Sequence, residues 1–282
     1  MNNELDRIKN VIPITNKAVS PTFCMAKWHH TTIYLQTGET HSCYHPAPHK
    51  IPLEEIVDNP SALHNTKEKK DQRRQMMQGK QPAGCNYCWK IEAMGKDYVS
   101  DRHIKTASIY TPERLTEIKD NGFNYDINPE YIEISFSNEC NFKCGYCHPK
   151  ASSRYYNEIK THGPYTSSTD HRQDIDWFKI YQKEEDNPYV DAWWKWWPEV
   201  SKTLNILRIT GGEPLLHKTT WKTFDELIEH PRPQIEININ TNMGYTPRRM
   251  EKLVDYVTKM RDNNSIKAFK MFSSMDTWGK RA

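Results

Sequence analysis

The sequence predicts an α/β fold in which a parallel sheet of alternating strands and helices follows a smaller, loop-rich region. Two observations lead to this prediction. Beyond residue 128, short β-branched or aromatic runs alternate with helical segments. Before residue 106, periodic segments are few and short. The first region is therefore too loosely patterned to predict a large core, whereas the second predicts one.

Four candidate strands share the β-branched or aromatic character of buried strands. They are Tyr131–Ser137, Leu204–Thr210, Ile235–Thr241 and Ile266–Ser274. Helical segments separate the later strands, at Thr220–Glu229 and Pro247–Arg261. This alternation predicts parallel strands joined by right-handed crossovers, in either a barrel or a doubly wound sheet.

The predicted domain organisation has three parts. Residues 1–105 form a small domain with a candidate strand at Thr31–Leu35 and a helical stretch at Ser61–Gln78. Residues 106–128 are polar and contain Pro112 and Gly122, which is typical of a connector between domains. Residues 129–282 form the α/β domain.

Composition excludes several classes of protein. The 282 residues are 36% hydrophobic and 27% charged, with a formal net charge of +3. The balanced charges give no clear nucleic-acid footprint. No run approaches the roughly 20 apolar residues of a membrane-spanning helix, and the N-terminus lacks the basic and apolar regions of a signal peptide. We therefore expect a cytoplasmic protein that does not enter a membrane.

Seven cysteines in such a chain are better interpreted as metal ligands than as disulfides, because the cytosol keeps thiols reduced. They fall into two groups. Cys140, Cys144 and Cys147 lie within eight residues directly after the first strand of the α/β domain. A [4Fe-4S] cluster with three thiolate ligands keeps one iron open for another molecule. A structural zinc site that also uses His148 is the alternative for this group.

This loop resembles the cluster-binding loop of radical SAM enzymes, with an aromatic residue, Tyr146, just before the last cysteine. The segment Gly211-Gly212-Glu213-Pro214, after the second strand, is similar to the GGEP motif of that family. Glycines allow a close approach to the backbone, and a carboxylate accepts hydrogen bonds from an ammonium group. The resemblance implies that Gly211, Gly212 and Glu213 contact S-adenosylmethionine (SAM), with Glu213 near its methionine ammonium.

Two further segments resemble the family more loosely. Thr241-Asn242 ends the third strand as the family's Thr-Asn pair does, although Met243 stands where glycine is usual. Ser274-Met275-Asp276 follows the fourth strand and is similar to a Ser-x-Asp element whose serine lies near SAM. The resemblance therefore adds Tyr146, Asn242 and Ser274 as SAM contacts.

The resemblance also implies an activity and partners. The reduced cluster would cleave SAM to methionine and a 5′-deoxyadenosyl radical that abstracts a substrate hydrogen, with an electron donor such as flavodoxin or ferredoxin. The expected substrate is a peptide or protein. The alternatives are a small molecule or nucleotide, and a non-catalytic zinc- or cluster-binding module.

The second group of cysteines lies in the first domain, at Cys24, Cys43, Cys85 and Cys88. Four thiols in two pairs fit either zinc or an iron-sulfur cluster. Their surroundings resemble the SPASM and twitch auxiliary-cluster domains, which usually follow a radical SAM core, whereas here they precede it. One auxiliary [4Fe-4S] cluster is therefore expected.

The α/β domain resembles an incomplete radical SAM barrel, since the sequence ends eight residues after the fourth strand. We expect a truncated barrel with an exposed last strand. A further segment, DAWWKWWPEV, contains Trp193, Trp194, Trp196 and Trp197 and is interpreted as a helix packed on the sheet.

Overall fold

The computed structural model describes residues 2–95, 97–165 and 175–275 of the chain. The chain divides into two compact units. The first comprises Met1–Thr32 and Thr40–Glu130, and the second comprises Ile33–Glu39 and Tyr131–Ala282. Within the described ranges, no helix is both long enough and apolar enough to cross a membrane.

The first unit is mainly helical. Its elements are α1 (Asn2–Ala18), α2 (Ala26–His29), β1 (His30–Tyr34), β2 (Glu39–His41), β3 (His49–Lys50), α3 (Leu53–Asp58), α4 (Lys67–Met77), α5 (Asn86–Ala93), α6 (Asp101–Ile109) and α7 (Pro112–Asn121). Strands β1 and β2 cross the boundary between the units by a few residues. The core of the unit packs around Phe23, Met25 and Trp28, each 1% exposed or less.

The segment interpreted as a connector, 106–128, folds differently from that expectation. Most of it forms the end of α6 and the whole of α7, and Ile109, Leu115 and Ile118 pack into the core of the first unit. Helix α7 begins where the Thr111 hydroxyl accepts a hydrogen bond from the Arg114 N–H at 3.3 Å. Pro112 favours the first helical turn because its fixed φ suits that position. Burial of one apolar face in the core of the first unit thus stabilises these helices, although the segment is polar in composition.

The second unit is the predicted α/β domain. Its further elements are β4 (Tyr131–Ser135), α8 (Ser153–His162), α9 (Ile175–Phe178), α10 (Pro188–Thr203), β5 (Ile206–Thr210), α11 (Lys218–Glu229), β6 (Arg232–Thr241), α12 (Pro247–Asp262) and β7 (Ile266–Ser273). Strands β4, β5, β6 and β7 are neighbours in that order, and each pair is parallel. The prediction of an α/β fold with a partial parallel sheet is confirmed.

The sheet's register places its strand ends side by side. Ser135 pairs with Thr210, and Thr241 pairs with Ser273. In α/β sheets, ligands bind outside the carboxyl ends of parallel strands, so this edge is where a site is expected. On the far side of β4, the end of β1 continues the sheet, and the Leu35 N–H donates to the Ser135 carbonyl at 2.9 Å.

Helix α10 covers the sheet with tryptophan side chains. Trp193, Trp196 and Trp197 are at most 4% exposed, and the Trp193 ring lies 6.0 Å from that of Phe136. Pro188 begins the helix, and the Asn187 side chain accepts from the Tyr189 N–H at 3.0 Å. The interpretation of this segment as a packed helix is confirmed.

Candidate active site

The loop after β4 that carries three cysteines is closed at its base by side-chain hydrogen bonds. The Asn138 amide donates to the Pro149 carbonyl at 3.0 Å, and the Ser153 N–H donates to the Asn138 carbonyl at 2.7 Å. The Ser152 hydroxyl, which caps α8, donates to the Phe142 carbonyl at 2.7 Å. These bonds hold the two ends of the loop together, so that all its thiols belong to one compact feature.

A cleft of about 480 Å³ opens at the carboxyl ends of the strands. Its walls include the three thiols and most residues for which the sequence predicts SAM contacts. Those residues are Cys140, Cys144, Cys147, Tyr146, Gly211, Gly212, Asn242 and Ser274. The volume lies within the range of sites for small organic ligands. Asp276, the last residue of the Ser-x-Asp element, is outside the described residues.

The two glycines after β5 are required by contact with the cysteine loop. The Gly212 N–H donates to the Ser137 carbonyl at 3.2 Å, and the next N–H donates to the Glu139 carbonyl at 2.7 Å. A Cβ at position 212 would lie 2.0 Å from the Glu139 oxygen, and one at Gly211, where φ is +111°, would lie 2.9 Å from the Ser137 oxygen. The close approach therefore joins two loops of the protein, in addition to leaving both glycines in the wall of the cleft.

Glu213 does not line the cleft. Its side chain is fully buried, and its carboxylate accepts hydrogen bonds from the Leu215 N–H at 3.2 Å, the Thr241 hydroxyl at 2.8 Å and the Asn242 N–H at 2.8 Å. These donors lie after β5 and at the end of β6. In the structure Glu213 thus joins two loops beneath the site, and its direct contact with SAM stays a prediction.

Asn242 joins the end of β6 to the cysteine loop. Its side-chain amide donates to the Cys140 sulfur at 3.7 Å and to the Asn141 side-chain oxygen at 3.0 Å. Met243 follows with φ at +59°, in the left-handed region that glycine adopts most easily. Met243 thus adopts a backbone conformation that glycine, the usual residue at this position, would adopt with less strain.

The Cys140 sulfur accepts hydrogen bonds from a backbone N–H and from a side-chain amide. Burial raises the pKa of its thiol, and the nearby Glu213 charge acts in the same direction. The Phe142 N–H, 3.4 Å from the sulfur, and the Asn242 amide oppose this by favouring the thiolate. Burial also raises the pKa of Cys147. Burial therefore favours the neutral form of both thiols.

Two residues close to the site were not predicted from the sequence. The Ser153 hydroxyl accepts from the Cys140 N–H at 3.1 Å. The His217 ring, 2% exposed, contacts the Glu139 carbonyl through Nε2 at 3.0 Å. Burial lowers the pKa of His217 to about 4, so the ring is neutral and Nε2–H is the donor. Neither residue belongs to a recognisable motif, and both act through the backbone of the cysteine loop.

The four cysteines of the first unit also line one cavity. Cys24, Cys43, Cys85 and Cys88 share its wall with the cationic residues Lys27, Arg102 and Lys105. Cys24 precedes α2, Cys43 follows β2, Cys85 ends a 3₁₀ turn, and Cys88 lies in the first turn of α5. The sequence grouping of these thiols therefore corresponds to a spatial grouping.

Burial is the largest influence on the pKa of Cys24 and Cys88. It raises the pKa of Cys24 to about 12 and that of Cys88 to about 11, and the neighbouring Cys43 and Cys85 add to both shifts. Within the described residues, no three His, Cys, Asp or Glu side chains converge closely enough to hold a single metal ion.

The family model described as the Radical SAM superfamily matches residues 134–261, which include the cysteine loop and the Gly211-Gly212-Glu213 segment. The chain carries a radical SAM domain. The expectation based on the two motifs is thereby confirmed for this region, and the family implies a [4Fe-4S] cluster and SAM. The matched residues do not include the first unit, so its resemblance to a SPASM or twitch domain remains a prediction.

Three curated relatives are named GTP 3′,8-cyclase. The protein of Nautilia profundicola is 25% identical over 141 residues, which are 50% of this chain and 36% of the relative. That of Sulfurovum sp. is 26% identical over 141 residues, 50% and 35% of the two chains. That of Sulfurimonas denitrificans is 27% identical over 147 residues, 52% and 37%. The matches thus span about a third of each relative. No solved structure matches the chain significantly.

Proposed function

We propose that this chain is a radical SAM enzyme whose substrate is a nucleotide or a related small molecule. The observation that carries the proposal is the cleft at the strand ends, where three thiols of one loop lie beside the glycines of the second motif. Cys140, Cys144 and Cys147 would hold a [4Fe-4S] cluster with one open iron. The cluster and SAM, when bound, would supply the one-electron cleavage that gives a 5′-deoxyadenosyl radical.

The chain's own residues would bind and orient SAM. Gly211 and Gly212 contribute backbone to the wall of the cleft, and Asn242, Ser274 and Tyr146 contribute the predicted polar and aromatic contacts. Glu213 would act indirectly, by fixing the positions of the loops that follow β5 and β6. A reductant such as flavodoxin or ferredoxin remains part of the proposal.

The substrate class rests on the relatives. Their name specifies a guanine nucleotide, whereas nothing in the comparisons supports the peptide or protein substrate expected from the sequence. A nucleotide is therefore the better proposal, and the peptide becomes an outcome of the test.

We further propose an auxiliary [4Fe-4S] cluster at Cys24, Cys43, Cys85 and Cys88. The four thiols line one cavity of the first unit. Four cysteine thiolates fit a [4Fe-4S] cluster or a zinc ion, and the resemblance of their surroundings to auxiliary-cluster domains favours the cluster.

The test is anaerobic reconstitution with iron and sulfide, followed by reduction and an assay for 5′-deoxyadenosine. We expect about eight irons per chain, from two four-iron clusters, and SAM cleavage that GTP or another nucleotide stimulates. Cys144→Ala should abolish cleavage, whereas Cys85→Ala should retain it with about half the iron.

Three results would contradict parts of this proposal. Bound zinc without SAM cleavage would favour the non-catalytic module. Cleavage stimulated by peptides and not by nucleotides would restore the first substrate expectation. Full iron content in Cys85→Ala would remove the auxiliary cluster from the account.

A further inference from the structure

A buried lysine lies in the wall of the cavity that the four cysteines of the first unit line. Lys27 is 2% exposed and follows Cys24 by one turn, its N–H donating to the Cys24 carbonyl at 3.0 Å. Its ammonium group donates to the Gln72 side-chain oxygen, a neutral acceptor. Among the ion pairs of the described residues, none includes Lys27.

The other two cations of this wall are better accommodated. Arg102 pairs with Glu92, with Nη2 2.7 Å from the carboxylate oxygen and Nε 2.9 Å from the other. The Lys105 ammonium lies 4.6 Å from the centre of the Tyr44 ring, which stabilises it by a cation–π interaction. The carboxylate of the wall, Asp101, lies 2.8 Å from His45 Nε2 and makes no ion pair with Lys27. Lys27 therefore stands apart as a buried cation that hydrogen bonds only to a neutral group, an arrangement that is costly unless an anion compensates it.

The four cysteines can supply that anion only when they bind a metal. A free thiol is neutral near pH 7, because the ordinary pKa of a thiol, about 8.5, lies above that value. Four thiolates around a doubly charged ion or around an oxidised [4Fe-4S] core carry a net charge of about −2. The four-thiolate centre and Lys27 thus carry opposite charges only when a metal is bound.

We propose that Lys27 is the counter-cation of an anionic four-thiolate centre and that it strengthens the hold of the protein on that centre. The proposal rests on the auxiliary site proposed above, and it holds for a cluster or for zinc. Lys27 acts as a charge-compensating residue and is not a ligand. Its cost in the metal-free protein is offset when the metal binds.

The experiment compares Lys27→Met with wild type, in a background where Cys140, Cys144 and Cys147 are serine so that only the auxiliary site is loaded. We expect Lys27→Met to raise the melting temperature of the metal-free protein, since it removes an uncompensated charge. The same variant should lower the melting temperature of the loaded protein and release its metal to a chelator at least tenfold faster.

Three further variants make the result specific. Lys27→Arg keeps the charge and should release metal as wild type does. Lys90→Met removes an exposed lysine from α5, the helix of Cys88, and should change neither measurement. If Lys27→Met does not fold, Lys27→Gln, which can still hydrogen bond to Gln72, should show the same opposed shifts.

A decrease in both melting temperatures with unchanged metal release would overturn the proposal, because it would mean that Lys27 contributes only packing. Metal analysis of the wild type separates the two levels of the argument. Wild type that binds neither iron nor zinc at these cysteines would refute the auxiliary site and, with it, the counter-cation. Metal that binds wild type and Lys27→Met equally tightly would refute the counter-cation alone.

Discussion

The side-chain amide of Asn242 donates a hydrogen bond to the sulfur of Cys140 across 3.7 Å. The two residues are 102 positions apart in the sequence, one at the end of β6 and the other in the loop after β4. Hydrogen bonds to cluster sulfurs are among the factors that set the reduction potential of an iron-sulfur centre. The contact therefore connects the end of one strand to the electronic properties expected of the site.

We predict that Asn242→Ala lowers the midpoint potential of the cluster at Cys140, because the reduced, more negative cluster loses a donor. A hydrogen bond to a charged group contributes about 1.5 kcal/mol, which corresponds to about 60 mV for one electron. An EPR-monitored redox titration measures this shift. Asn240→Ala is the matched control, since Asn240 lines the same cleft but accepts from Arg208 at 3.0 Å. Equal shifts in the two variants would contradict the assignment.

Glu213→Ala should destabilise the metal-free protein. Three buried donors would lose their acceptor, at a cost of about 3–5 kcal/mol. Urea denaturation provides the measurement, and Glu185→Gln, at an exposed carboxylate, provides the control. If Glu213→Ala lost SAM affinity while keeping wild-type stability, the direct contact expected from the motif would be correct and the joining role would be wrong.

Gly212→Ala should prevent the loop after β5 from docking on the cysteine loop, since the added carbon would lie 2.0 Å from a backbone oxygen that cannot move independently. We expect a loss of at least about 2 kcal/mol in stability together with loss of cluster binding. Gly145→Ala is the comparison within the cysteine loop, because nothing lies within 4 Å of a carbon added there. Similar iron contents in the two variants would show that the close approach is unimportant.

His217 should make the free energy of unfolding decrease as the pH becomes acidic. Burial lowers its pKa to about 4, whereas an unfolded histidine titrates near its ordinary value of 6.5. The unfolded state therefore takes up the proton first, and stability present above pH 6.5 is lost as the pH falls towards 4, by up to about 3 kcal/mol. His217→Gln keeps a donor for the Glu139 carbonyl and should reduce this loss. Denaturation curves at pH 7.5 and 4.5 test the difference between the two proteins.

Much of the radical SAM domain could be predicted from local sequence. The strand runs and the two motifs gave the parallel sheet and placed Cys140 and Gly211 at neighbouring strand ends, because both signals depend on short segments. The burial of Glu213 could not be predicted, since its partner Asn242 comes from a distant strand end and the motif alone does not show which way the carboxylate faces.

The first region was harder to predict for a related reason. Helices α6 and α7 are polar on average. Their few apolar residues, such as Leu115 and Ile118, stabilise the helices by packing into a core formed with residues distant in sequence. The participation of the end of β1 in the sheet beside β4 is likewise a long-range pairing, fixed by backbone bonds such as that from Leu35 to Ser135. Thr111 and Pro112, at the start of α7, are residues that favour a helix N-terminus. They indicate this helix locally, although the polar composition of the segment suggested a connector.

The backbone bonds from Gly212 and Glu213 to the segment before Cys140 bear on how the metal centre is assembled. Ordering the backbone of one residue costs about 1–2 kcal/mol of conformational entropy. The backbone up to Glu139 is already ordered by its hydrogen bonds in the folded sheet, so this cost does not recur when a metal binds. Under the proposed ligation, only the tip of the loop, around Cys144 and Cys147, would have to adapt to iron and sulfide. Assembly can therefore begin at Cys140 as a fixed anchor and proceed along the chain, so that cluster insertion requires a small local rearrangement of an already folded domain.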